Sequence, residues 1–483
     1  MEPTPAWLNH ISTRRRFLSR TSAGIGMAAL ASLLEKEGHA APATAPMKVP
    51  GSLGTTHSIP KAKNVIYLFM AGGPSHLDLY DHKPKLDEMH GQDMPKTILG
   101  DQRVTLMTRN QGHFKAATTG FKFSKSDKSG NEFSEVLPWI KKVGDELCII
   151  KSIHSEPINH DPAVTFMQTG RPQPGLPVIG SWVSYGLGSE SKDLPAYVVM
   201  ISGPFDQPIP SRYFHSGFLP SQHQGTQFLA GANPVLYLSN PQGIDAPVRG
   251  QLVDGINELN RLRHAEIRDP EIEARINSFE LAFRMQKSVP DLMDLAKEDK
   301  KTLELYGPSV DSPGSFARNC LTARRLVERG SRFIQLFHRG WDQHGDVKGG
   351  VKRQAGDVDR ATYGLISDLK NRGMLDDTLI IWGGEFGRTA YGQGNLAGGF
   401  GRDHHPRSFT VWMAGGGVKK GITIGRTDDF GYNVAERPVH VNDLHATIMH
   451  LLGVDHKRLT YRFGGRDFRL TDVGGDLVKE AIA

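Results

Sequence analysis

Asp342 and His344 stand two residues apart in the run Trp341-Asp342-Gln343-His344-Gly345, shortly after an apolar stretch that ends at His338. In an extended segment residues i and i+2 share a face, so a carboxylate oxygen and an imidazole nitrogen are offered to one point. That is one way of holding a divalent metal. A lone Asp-x-His also occurs as a surface turn in which the carboxylate caps a backbone amide. The pair gains meaning from what the rest of the chain supplies.

Four other clusters carry similar side chains. Ser75, His76 and Asp78 follow the apolar run Asn64–Met70, and His160 closes a polar segment that follows the apolar run 146–153. Glu385 and Arg388 follow the run Thr378–Trp382, and Arg402, His404 and His405 precede another such run. Asp, Glu and His without Cys make a mixed oxygen and nitrogen site suited to zinc, manganese, magnesium or calcium. The candidate ligands are Asp342, His344, His404 or His405, Glu385, and His76 or Asp78. His160 is a ligand, a general base or a nucleophile, and Ser75 is a weaker candidate for the nucleophile. Arg388 and Arg402 supply guanidinium forks that match a tetrahedral oxyanion such as sulfate or phosphate. The competing expectations are an ion pair between Glu385 and Arg388, and a merely turn-shaping role for His76 and Asp78.

These segments must be positioned by a scaffold. Residues 64–70, 146–153, 196–202, 331–338 and 378–382 read as buried strands separated by helical stretches, which predicts a mostly parallel sheet with helices on both faces. Ligands of such sheets lie beyond the carboxyl ends of the strands, where the polar clusters fall. A helix is predicted from about Asp357 to Asn371, with Gly373 as its left-handed cap. Residues 203–250 read as long loops, and residues 251–310 as a charged helical insertion. The domain is expected to span 61–470, followed by a tail over 471–483.

At 483 residues, 38% hydrophobic and 23% charged, the composition is that of a globular protein able to bury a large core. Half of the formal net charge of +6 comes from residues 1–50, and no Lys/Arg stripe with interleaved aromatics follows, so nucleic acid is not an expected partner. The two cysteines, Cys148 and Cys320, exclude a thiolate metal site. Residues 12–34 place Arg14, Arg15 and Arg16 before Phe17-Leu18 and a short, weakly apolar region, which resembles a twin-arginine export signal with small-residue cleavage sites near Ala40 or Ala43. The expectation is a signal over 1–43, a linker over 44–60, passage through the twin-arginine translocase, and a periplasmic or extracellular mature chain with no membrane span.

The order of motifs resembles the bacterial DUF1501 family: a Gly-Gly-Pro-Ser turn at Gly72–Ser75, Trp-Asp-x-His at Trp341–His344, Glu-Phe-Gly-Arg-Thr at Glu385–Thr389 and Asp-His-His at Asp403–His405. That family is in turn similar to the alkaline phosphatase and sulfatase superfamily. The resemblance implies an alkaline-phosphatase-like α/β fold, one or two divalent metal ions, and hydrolysis of a sulfate or phosphate ester. Three departures stand out. Glu385 and Phe386 replace the Asp-His of sulfatases, His76 or Asp78 must substitute for a metal-binding Asp after the first strand, and His160 occupies the place of the Cys or Ser nucleophile ahead of Thr169-Gly170. A histidine cannot be converted to the formylglycine that sulfatases use. The alternative is therefore a binding or scaffold protein on the same fold that has lost its nucleophile. A transferase of the phosphoglycerate-mutase kind is a further reading, which the export signal disfavours.

Overall fold

Strand β1, Asn64–Met70, shows why the centre of the molecule is a sheet covered on both sides. Ile66, Leu68 and Met70 point into one apolar cluster while Val65, Tyr67 and Phe69 point into another. A strand buried on both faces reads as an unbroken apolar run. Each fully buried side chain of this size contributes about 1.5–3 kcal/mol relative to exposure.

The computed structural model describes residues 50–483 apart from 232, 237, 241 and 242; the expected export signal, and the linker up to residue 49, lie outside the described residues. The central sheet has nine strands. After β1 come β2 (Leu147–His154), β3 (Tyr197–Ser202), β4 (Thr226–Phe228), β5 (Phe333–His338), β6 (Thr378–Gly383), β7 (Phe409–Ala414), β8 (Ile422–Ile424) and β9 (Val439–His440). Their spatial order is β8-β2-β7-β6-β1-β5-β3-β4, with β9 also paired to β2. Only β7 is antiparallel to its neighbours, β6 and β2, so the other eight strands point one way. The mostly parallel, helix-flanked sheet is the fold class that the sequence predicts.

Helices α1 (His160–Thr169) and α2 (Ile179–Leu187) cover one face, α3 (Ala246–Ile267) and α4 (Pro270–Met293) form a long hairpin, α5 (Phe316–Glu328) and α6 (Val347–Asn371) cover the opposite face, and α7 (Val441–Leu451) joins α1 and α2. Asp245 and Asp269 cap the two hairpin helices with their side chains, each followed by a Pro in the first turn. Helix α6 starts ten residues before the predicted Asp357. Its side-chain cap is Asp346, and Gly349 and Gly350, which argue against helix in sequence, are tolerated because Val347, Val351 and Ala355 pack into the core. Gly373 has φ +68° just beyond its end, the left-handed geometry expected there. Residues 203–250 contain β4 as well as loops. Near the C-terminus Val478 and Ala481 are buried among the residues of the α1/α2/α7 side.

Cys148 and Cys320 are both buried and free, on opposite faces of the sheet. Among the described residues no helix is long and apolar enough to cross a membrane.

Candidate metal centre

The carboxyl ends of β1, β2, β5 and β6 and the incoming end of β7 lie along one edge of the sheet. The turn after β1 presses against two other segments. Gly72 has φ +113°, and a Cβ on it would lie 2.6 Å from the backbone nitrogen of Asp342; a Cβ on Gly73 would lie 2.5 Å from the Phe386 ring. Glycine is what lets these loops close on one another.

Four side chains from three distant segments meet at this edge: His160 at the start of α1, Asp342 and His344 after β5, and His404 before β7. One ligand atom from each lies within 4.8 Å of all the others. Asp342 Oδ1 is 2.9 Å from His344 Nε2 and 3.3 Å from His404 Nε2, and Oδ2 is 3.2 Å from His160 Nε2. The Nε2 atoms of His344 and His404 are 3.0 Å apart. Asp342 and His344 do not lie in a strand; amide-to-carbonyl contacts of 3.2 Å from Gln343 to Trp341 and from His344 to Asp342 fold them into a tight turn.

Each imidazole is held by its other nitrogen. His404 Nδ1 donates to the carbonyl of Ile158 at 2.8 Å, His344 Nδ1 to Gln393 Oε1 at 2.6 Å, and His160 Nδ1 to Glu385 Oε1 at 2.6 Å. A carbonyl or carboxylate can only accept, which places a proton on each Nδ1, so that each ring in its neutral form turns an Nε2 lone pair toward Asp342. Two such lone pairs 3.0 Å apart repel unless a proton or a metal ion lies between them. His160 Nε2 is buried without an aligned hydrogen-bond partner. Tetrahedral zinc ligands at about 2.0–2.1 Å from the ion stand roughly 3.3 Å from each other, close to the 2.9–3.3 Å among Asp342 Oδ1, His344 Nε2 and His404 Nε2, with His160 Nε2 3.2 Å from the other carboxylate oxygen. Among the described residues this is the one such group.

Charge is distributed accordingly. Burial pushes the His404 ring down to about 4, with Asp342 opposing and Arg388 adding to the effect. Burial also disfavours the charged ring of His160, but the carboxylates of Asp342 and Glu385 overcome it and raise this histidine to about 9. Asp342 is held far below the usual carboxylate range, because its close contacts with His160, His344 and His404 and the nearby Arg388 guanidinium outweigh its burial. Glu385 is fully buried and accepts the amide of Gly72 at 2.9 Å as well as the His160 ring, so it orients rather than joins the group. Arg388 pairs with Asp342 at 2.7 Å, and not with Glu385 as the sequence suggests; its remaining donors reach the carbonyls of Gly72, Gly73, Trp341 and Arg402.

The other residues singled out from sequence are engaged elsewhere. Ser75 is fully buried and donates to Asp78, and Asp78 also receives Arg402 at 2.8 Å. Arg402 spends its other donors on the carbonyls of Thr389, Ala117 and Thr118. His76 Nε2 donates to Gly431 O at 2.9 Å. His405 donates to the carbonyl of Tyr432, facing away from His404 because successive residues in a two-residue strand alternate sides. Gln393, which fixes His344, carries no sequence signal, since no spacing rule marks a loop amide as an orienting group.

A mostly parallel α/β fold with a candidate three-histidine, one-aspartate metal site at its carboxyl edge defines the class. The chain belongs to the DUF1501 family, described as a protein family of unknown function, whose profile matches residues 62–482. Solved structures similar to it include a protein of the alkaline phosphatase superfamily from Vibrio parahaemolyticus (11% identity, 84% of this chain and 69% of that one, TM-score 0.37). A sulfatase from Pseudoalteromonas sp. (13%, 81% and 68%, 0.33) and a phosphonate monoester hydrolase from Silicibacter pomeroyi (12%, 81% and 73%, 0.30) are further examples. No curated protein matches the sequence.

Proposed function

We propose that the chain is an exported hydrolase of sulfate or phosphate esters that works with one divalent ion, zinc being the best match to three imidazoles and one carboxylate. The observation that carries this reading is the convergence of three imidazole Nε2 atoms on Asp342 with every Nδ1 tied to an acceptor. His160, Asp342, His344 and His404 would hold the ion, which supplies a Lewis acid for the charge that builds on the non-bridging oxygens of the ester. His160, Asp342 and His344 keep 18, 24 and 23% side-chain exposure while His404 keeps 4%, so the group is open on the side away from His404 and an ester can approach there. With Ser75 bound to Asp78, attack falls to water. Glu385, Gln393 and the Ile158 carbonyl hold the rings in register for it. Export rests on the resemblance of residues 12–34 to a twin-arginine signal.

A second reading, a metal-holding binding protein without turnover, is favoured by the internal engagement of Ser75, Arg388 and Arg402. Elemental analysis of the wild-type chain and of Asp342→Ala/His344→Ala, with ester hydrolysis measured on both, separates the two. Stoichiometric metal lost in the variant, with turnover of a sulfate or phosphate ester, supports the hydrolase. Metal without turnover of any such ester supports the binding protein, and no metal in the wild type overturns both.

A further inference from the structure

An anionic ester needs cations to hold the charges that the metal does not touch, and the guanidiniums expected to do this, Arg388 and Arg402, have their donors committed to carboxylates and carbonyls inside the protein. Cations with no ion-pair partner among the described residues occur instead on the segment 102–109. Thr105 donates to Asp403 Oδ2 at 2.6 Å and Thr108 donates to the same oxygen, which ties this segment to the residue just before His404. Facing it is Ile158, whose carbonyl receives the His404 ring, followed by Asn159 and then His160.

Between these walls is a cavity of about 490 Å³. Arg103 and Arg109 line it, both exposed, and neither has an ion-pair or side-chain hydrogen-bond partner among the described residues. Two unpaired guanidiniums on one cavity raise its positive potential, which an arriving anion relieves. The same lining includes Val104, Leu106 and Met107, with Leu106 82% and Met107 52% exposed. Apolar side chains held in water beside cations suit a ligand with both a charged group and a carbon face.

We propose that this cavity is the leaving-group subsite of the metal centre, in which Arg103 and Arg109 bind a second anionic group of the substrate while Val104, Leu106 and Met107 contact its carbon skeleton. The substrate is then a polyanion carrying several sulfate or phosphate groups, rather than the monoester of a neutral alcohol. This rests on the hydrolase reading, but its test does not need turnover.

Isothermal titration is made with a sulfated dextran oligosaccharide, with inorganic polyphosphate and with unsulfated dextran, on the wild type, on Arg103→Gln/Arg109→Gln and on His344→Ala. The expected result is binding of at least one polyanion that weakens with salt, no binding of plain dextran, and a loss of about tenfold or more in the double arginine variant with its metal content and melting temperature unchanged. Preference between the two polyanions identifies the anion that the cavity favours. Equal affinity in the double variant, or no polyanion binding by the wild type, overturns the proposal. Arginine-dependent binding by a wild type that contains no metal would sink the hydrolase reading, and the leaving-group role with it, and leave the polyanion site at Arg103 and Arg109 standing.

Discussion

At the proposed metal site a proton and a metal ion would compete for His160. In the metal-free chain this ring lies between the carboxylates of Asp342 and Glu385, which lift it to about 9 against the opposing effect of burial. At pH 7 the ring therefore carries a proton that an incoming ion must displace. Two pH units correspond to about 2.7 kcal/mol, or about 100-fold in apparent affinity. His404 imposes no such cost at neutral pH, since burial keeps it near 4. Apparent zinc affinity should accordingly rise about tenfold per unit between pH 7 and pH 9 and level off above, with about one proton released per ion at pH 7. Stability moves in the opposite sense without metal. A histidine raised in the folded state contributes stability that is fully present below 6.5 and is lost as pH climbs through about 9, here about 3 kcal/mol. The assay is a chelator competition at several pH values, paired with calorimetric titration in two buffers of different ionisation enthalpy. An affinity independent of pH between 7 and 9, or titrations that show no proton release, would refute the reasoning.

Other outcomes follow from single contacts. A Cβ on Gly401 would lie 1.9 Å from the carbonyl carbon of His344, so Gly401→Ala must shift that backbone; metal affinity should fall at least tenfold while the far-ultraviolet circular dichroism spectrum is unchanged. Ser75→Ala should leave ester turnover within a few-fold and cost about 1 kcal/mol in chemical denaturation for the lost bond to Asp78; a drop of orders of magnitude in turnover would make Ser75 the nucleophile after all. Burial lowers His223, His404 and His445 to about 4 and His405 to about 3. Lowered histidines stabilise above 6.5 and lose that contribution as pH falls, about 1.4 kcal/mol per unit each, so the melting temperature should drop steeply between pH 6.5 and 4.5. A flat profile over that range would contradict it.

The parts of the molecule legible in sequence were those governed by local pattern. Runs such as Asn64–Met70 and Thr378–Trp382 announce strands because both faces are buried, and the placement of polar clusters at their ends follows from the parallel sheet alone. The convergence of Asp342 and His344 was foreseeable, although a tight turn rather than an extended segment brings it about. What sequence could not resolve depended on partners far along the chain. Whether His404 or His405 faces the group is decided by one step of strand alternation, and a sequence does not say where that alternation starts. Arg388 and Arg402 look like anion clamps until the carbonyls of Gly72, Gly73, Thr389 and Ala117 are seen to consume their donors. The early start of α6 was hidden by two glycines, whose helical cost the core packing of Val347 and Val351 offsets.

The ligands at positions 160, 342, 344 and 404 are joined only by the finished sheet, since α1 follows β2, the Asp342 turn follows β5 and His404 precedes β7. No short stretch of the nascent chain can assemble more than two of them. An ion bound at the proposed site would therefore be captured last, after the slow, long-range pairings have formed, and would report that they are correct. For a chain exported folded by the proposed route, the identity of the captured ion is settled by metal supply where folding takes place, whatever ions surround the protein where it acts.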